Sequence, residues 1–375
     1  MPEQYDIAII GAGMAGASLA AEIGLAANRG PSKSIIVLEA EDSPGYHATG
    51  RSAAFWEECY GGPDIAPLTI ASGLWLREHG FLQERGALYL GREDDEQVLQ
   101  DFLRRFAKSD VDLTRIDRDR LEGFVPGIRP AWDRAIYQPR CADIDVAGVH
   151  QHYLAQARKA GAHIACRARL LEACVGDRGW TLCLSDGRQV HAHTIVNAAG
   201  AWADEVAQMA GARALGIQPY RRTVAQLRTD PALHDTVPLC LDISGNFYFR
   251  PDSGKLWLSP HDEVASPPCD AAPEEMDVAL AIDRLEGVVD WRVEAVERKW
   301  AGLRSFAPDR KPVYGFDPRM PHFFWFAGQG GYGIQTAPAA ARLGAQLLLD
   351  LPRNTMTKGL NVELYMPDRF AAAMA

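Results

Sequence analysis

A chain of 375 residues, 47% apolar and 23% charged, is long enough for two packed domains and too apolar for disorder. Its formal net charge of -10 argues against nucleic acid as the main partner, because phosphate binding needs a basic face. The seven cysteines are odd in number, scattered and free of any C-x-x-C pair, which excludes a disulfide framework or a zinc site and fits reduced thiols.

The chain opens on Met1-Pro2-Glu3-Gln4 with no signal-like apolar segment, and no apolar run reaches the ~18 residues that span a bilayer. The expectation is a cytoplasmic protein without an integral membrane segment; a peripheral position at the inner face of a membrane stays open. Residues 5–10 then read as a short apolar strand, followed by a Gly-rich turn and a helix through Ala27. Turn formers at 28–32 lead to a second apolar strand, Ile35–Leu38, which ends on Glu39. Strand, tight turn, helix and strand make a βαβ unit of a parallel sheet.

The middle of the chain has another texture. Short aromatic and branched runs at 87–90, 223–227, 247–249 and 256–258 are separated by turns such as Pro251-Asp252-Ser253-Gly254. They predict an antiparallel sheet. An amphipathic helix near 149–160 leads to a strand ending in Asn197-Ala198-Ala199-Gly200, and a last strand at 323–326 runs through glycines into a helix starting near Ala337-Pro338. The expected class is α/β: a Rossmann-like dinucleotide domain (1–85, 143–222 and 300–375) interleaved with a substrate domain built on an antiparallel sheet (86–142 and 223–299).

Four segments carry the chemistry. Gly11-Ala12-Gly13-Met14-Ala15-Gly16 has the glycine spacing that lets backbone approach a pyrophosphate at a helix N-terminus, and Glu39 at the next strand end suits a ribose rather than a 2′-phosphate. The loop Gly45-Tyr46-His47-Ala48-Thr49-Gly50-Arg51-Ser52-Ala53-Ala54 is small, polar and able to wrap a planar ring. Val196-Asn197-Ala198-Ala199-Gly200-Ala201-Trp202 ends a strand in small residues. Ala327-Gly328-Gln329-Gly330-Gly331-Tyr332-Gly333-Ile334-Gln335 precedes the last helix, whose free amides favour negative charge. The histidines His150, His152, His191 and His193 show no ligand pairing and read as surface or packing residues.

In kind and order these segments resemble the FAD-dependent D-amino-acid oxidase (DAO) family. Ala142-Asp143-Ile144-Asp145, Gln218-Pro219-Tyr220-Arg221-Arg222 and Trp300-Ala301-Gly302-Leu303-Arg304-Ser305-Phe306 are most similar to its bacterial D-arginine dehydrogenase branch. The resemblance implies noncovalent FAD held by Gly11, Ala12, Gly13, Met14, Ala15, Gly16, Glu39 and Ala40, and by His47, Ala48, Thr49, Gly50, Arg51, Ser52 and Ala53. It adds Leu171, Ala199, Gly200, Trp202 and Gly302, then Gly330, Gly331, Tyr332, Gly333, Ile334 and Gln335.

For the substrate it implies that Arg222, Tyr248 and Arg304 hold a carboxylate, that the Gly331 carbonyl accepts from the amine, and that Tyr60 belongs to a lid. Ala87 stands where the D-arginine enzymes carry a glutamate facing the guanidinium, and Phe55 and Glu57 replace a His and a Thr near the flavin. Glu57 is then either a relocated carboxylate or a solvated residue beside Glu58. The implied reaction is oxidation of the Cα–N bond of a D-amino acid, basic or not, by hydride transfer to flavin N5, giving an imino acid that hydrolyses to a 2-oxo acid and ammonia. A quinone, an electron-transfer protein or oxygen would reoxidise the flavin. The alternatives are N-methylated or cyclic amino acids, a 2-hydroxy acid, or a non-catalytic flavin-binding assembly protein.

Overall fold

The computed structural model describes residues 3–27, 33–53, 55–177 and 179–370. The turn expected at 28–32, and Ala54 of the ring-wrapping loop, lie outside them.

An eight-stranded sheet runs in the order Leu170–Gly176, Gly179–Leu184, Gln189–Asn197, Glu3–Ile10, Ile35–Leu38, His163–Ala165. Phe323–Ala327 adds in parallel beside Gln189–Asn197, and Val313–Phe316 pairs with it. The first strand pairs in parallel with both Ile35–Leu38 and Gln189–Asn197. Its side chains alternate between two cores: Ile7 and Ile9 pack with the helices Met14–Ala27, Val146–Lys159 and Ala337–Leu348, while Ala8 and Ile10 pack with Trp180, Ile195 and Trp325. Burial on both faces is why these strands read as continuous apolar runs.

The second sheet has ten strands and a core of its own around Leu88, Phe249, Leu256 and Trp291. Its spine is a long antiparallel pair, Gln218–Asp230 with Arg292–Phe306. The sequence shows only a fragment of each; in Arg292–Phe306 the outer end is exposed and rich in Arg, Glu and Lys, which masks the strand pattern. The domain borders expected at 222/223 and 299/300 fall inside these two strands. The sheet is mixed rather than antiparallel throughout, since Leu239–Asp242 pairs in parallel with Ala87–Gly91. A small third sheet joins Phe55–Trp56, Ala142–Ile144 and Leu82–Glu84.

That third sheet leads into two adjacent buried acids, Glu57 and Glu58, 1% and 0% exposed. Neither is the solvated residue the sequence left open. The Glu57 carboxylate accepts from the Cys59 amide at 2.7 Å, and its backbone is bracketed by the Gln335 amide group at 3.2 and 3.1 Å. Burial pushes its pKa up from 4.5 to about 7, with the Glu58 charge adding and the bonds from Tyr89 and Cys59 opposing. A carboxyl group whose folded pKa is raised favours the folded state at low pH. Its contribution is complete below about pH 4.5 and is lost as the pH rises towards 7. Glu57→Gln should therefore raise stability at pH 8 by about 3 kcal/mol at ~1.36 kcal/mol per pKa unit, and leave it unchanged at pH 4. Thermal melts of both proteins across that range test this; equal differences at pH 4 and 8 would contradict it.

Candidate active site

One long cavity runs between the two sheets. At its inner end the glycine turn is shaped for close approach. Gly11 sits at φ +102°, and a Cβ there would lie 2.6 Å from the Ala198 carbonyl oxygen. A Cβ on Gly16 would lie 1.9 Å from the Gly11 oxygen, so this glycine packs the helix on the strand. The helix Met14–Ala27 carries no acid in its first turn and, with Gly13, presents Met14 and Ala15 to the cavity, a positive helix end. Glu39, 8% exposed, accepts from the amides of Ala12 (2.9 Å) and Glu41 (3.0 Å) and still lines the cavity. The Met14 amide donates to Thr49 Oγ1 at 2.9 Å, which ties the helix start to the small polar loop.

Ala40, His47, Ala48, Thr49, Arg51, Ser52, Ala53, Ala199, Gly200, Trp202, Gly302, Gly330, Gly331, Gly333 and Ile334 all line the same cavity. His47 Nε2 contacts Glu41 at 3.0 Å and its ring packs on Trp202. Six expected cofactor residues stand elsewhere, one of them the helix-packing Gly16. Leu171 points to solvent, 55% exposed, and Leu170 lines the wall instead, because a bulge interrupts the strand there. Ala12 lies beneath the turn, where its carbonyl contacts the buried His150 at 2.9 Å, and Gly50 closes its loop on the Gly45 oxygen. Tyr332 and Gln335 brace the C-terminal turn from behind: the phenol donates to the Arg310 carbonyl, and the amide donates to Thr69 Oγ1 at 2.8 Å. A polar, glycine-lined trough with a free helix end fits an extended dinucleotide.

At the other end Arg222, Val224, Tyr248, Gly302 and Arg304 meet. Register decides which side chains do so. Arg222 is opposite Gly302 and Tyr220 opposite Arg304, so period-2 alternation puts Arg222, Val224 and Arg304 on one face. Arg221 points the other way, to Glu274 and Asp277 at the helix Glu275–Glu286.

Arg222 is 4% exposed; its Nε donates to the Asp262 carbonyl at 2.7 Å, and its Nη1 is buried without a partner. Burial, and next the Arg304 charge, lower its pKa to about 10. Arg304 Nη1 donates to the Tyr60 hydroxyl at 2.8 Å, and a Cβ on Gly331 would lie 1.8 Å from that hydroxyl. Two guanidiniums facing one space, one with an idle buried donor, make a site for an anion.

Glu57 does not line the cavity and its carboxylate accepts from the Cys59 amide, so the relocated counter-charge, one of the two alternatives the sequence leaves for it, does not hold. Ala87, 0% exposed, packs with Cys141, Leu239 and Tyr248, with Phe55 against them, an apolar wall behind the phenol. Sequence reasoning missed His261. It sits at φ +58°, contacts the Gly245 carbonyl through Nδ1 at 2.8 Å and meets the Tyr248 ring edge-on. Burial, and then Arg222 and Arg304, lower its pKa to about 3, so the imidazole is neutral at working pH. Nothing in the local pattern marks this residue, because only the fold brings its loop to the two arginines. Among the described residues there is no group of three His, Cys, Asp or Glu that could hold a metal, and no helix long and apolar enough to cross a membrane.

Residues 6–347 match the family model described as DAO, FAD dependent oxidoreductase. The chain is 22% identical to FAD-dependent oxidoreductase domain-containing protein 1 of Xenopus laevis, over 93% of this chain and 80% of that protein. Among solved structures it is similar to L-proline dehydrogenase from P. horikoshii (TM-score 0.85, 22% identity, covering 100% of this chain and 99% of that one). It is also similar to glycine oxidase from Geobacillus kaustophilus (TM-score 0.81, 19% identity, covering 97% and 98%).

Proposed function

This chain belongs to the DAO family of FAD-dependent oxidoreductases, and from that premise we propose that it oxidises the Cα–N bond of a D-amino acid with a neutral side chain. The observation that carries this reading is that Arg222, whose Nη1 is buried without a partner, lines the same cavity as Arg304 and Tyr248. Bound FAD supplies the hydride acceptor and the protein supplies position. Arg222 and Arg304 hold the carboxylate, and the Tyr248 phenol contributes a further hydrogen bond. The Gly331 carbonyl receives an amine hydrogen, which leaves the nitrogen lone pair free to form the imino acid. Water then releases a 2-oxo acid and ammonia. Tyr60, bonded to Arg304, would close this end against bulk water.

A neutral side chain is favoured over arginine because the wall behind Tyr248 is Ala87, Cys141, Leu239 and Phe55. The acids lining the cavity, Glu39, Glu41 and Glu205, belong to the dinucleotide turn and the helix Ala203–Met209, not to the strands of the clamp.

Anaerobic mixing of the holoenzyme with D- and L-amino acids, sarcosine, proline and 2-hydroxy acids tests this. Neutral D-amino acids should bleach the flavin fastest and release ammonia. Reduction only by proline or sarcosine would replace the reading with a secondary-amine substrate, and reduction by a 2-hydroxy acid without ammonia would sink amine oxidation. No reduction by any of them would leave a flavin-binding assembly protein.

A further inference from the structure

Glu263 is an acid that the reaction does not use, yet it touches the clamp. Its Oε1 lies 3.4 Å from Arg222 Nη2. Both its oxygens also accept from Arg310 Nη2, at 2.9 and 3.0 Å. The side chains of Glu263 and Arg310 are 37% and 50% exposed, whereas Arg222 is 4% exposed, so this three-residue chain leads from solvent to the clamp. Arg310 is itself anchored. It lies at φ +62°, its guanidinium covers the Phe306 ring at 3.9 Å, and its carbonyl accepts from Tyr332.

We propose that Glu263 is a specificity-determining residue: an internal carboxylate that competes with the substrate carboxylate for Arg222 and is retained by Arg310 when the substrate arrives. The inference rests on the carboxylate-clamp reading. A carboxylate that engages Arg222 through both Nη1 and Nη2 needs the Nη2 position that Glu263 now shares. Arg310 already holds both Glu263 oxygens, so leaving Arg222 costs Glu263 only the longer of its contacts. Without Arg310 the acid would fall fully onto Arg222 and block the site. The pair thus sets how tightly any carboxylate binds, and it selects against ligands too weak to displace Glu263.

Acetate and propanoate are suitable probes, because they carry the carboxylate and cannot be oxidised as amines. Their dissociation constants on the holoenzyme can be read by calorimetry and by perturbation of the flavin spectrum. Glu263→Gln should tighten acetate binding by about 3- to 10-fold, the range expected for a half-exposed charge contact. Arg310→Gln should weaken it by a similar factor. In the double variant Arg310→Gln should have no further effect, since there is no longer an acid to release.

Unchanged or weaker binding in Glu263→Gln would overturn the proposal, as would the same loss from Arg310→Gln in both backgrounds. A selective loss of D-arginine or D-lysine turnover in Glu263→Gln would instead make Glu263 a side-chain partner and overturn it in a different way. If the wild-type holoenzyme binds neither probe, the clamp itself is wrong and the competitor falls with it; binding without a Glu263 effect leaves the clamp standing.

Discussion

Arg304→Ala should nearly abolish reduction by amino acids while the flavin stays bound. The guanidinium is held by Tyr60, faces the cavity beside Arg222 and sits on a strand whose register is fixed by the pairing with Gln218–Asp230. Removing one partner of a desolvated charge contact costs about 2–5 kcal/mol, a fall of roughly 30-fold to several-thousand-fold in kcat/KM. The Tyr60 hydroxyl would lose its donor as well, and KM should rise along with the loss in kcat. Arg304→Lys should recover only part, since an ammonium cannot offer the planar fork. The absorbance ratio of flavin to protein should not change. A variant within twofold of wild-type kcat/KM would show that Arg304 does not hold the substrate.

Gly11→Ala should yield a folded protein that has lost its flavin. Gly11 adopts a left-handed φ of +102°, and the added Cβ would stand 2.6 Å from the Ala198 oxygen and 3.3 Å from the Ala199 Cα. Those contacts are backbone and cannot swing away. A non-glycine residue at such a φ costs about 1–3 kcal/mol before any overlap is counted, and both costs fall on the turn expected to receive the pyrophosphate. The expected result is a colourless preparation with wild-type circular dichroism and at least about tenfold weaker FAD reconstitution, the equivalent of ~1.4 kcal/mol. Gly123→Ala is the control, because a Cβ there meets nothing within 4 Å and its φ is ordinary. Stoichiometric flavin in Gly11→Ala would refute the close-approach role.

Much of the first domain is legible in the sequence, because its signals are local. A glycine needed at positive φ, an apolar run buried on both faces and an acid at a strand end each act within a few residues. The strand at Ile35–Leu38 and the helix starting at Ala337 stand where the sequence places them. The DAO resemblance of the whole chain agrees with the family model, which spans residues 6–347.

Facing and burial were decided elsewhere. Whether Arg221 or Arg222 enters the cavity depends on parity along a strand, and parity is set by pairing with a partner far along the chain. Leu170 replaces Leu171 through a bulge that no local pattern announces. The sequence leaves Glu57 either a relocated carboxylate or a solvated residue beside Glu58, and only the elements packed over them show that both acids are buried. His261 meets Tyr248, Glu263 meets Arg222 and Arg310 meets Glu263 from loops that no local pattern marks. The sequence by itself determined the dinucleotide turn and the family, because backbone sterics and hydrophobic period are short-range. Only the tertiary structure decided which charges face one another, because that depends on long-range register and desolvation.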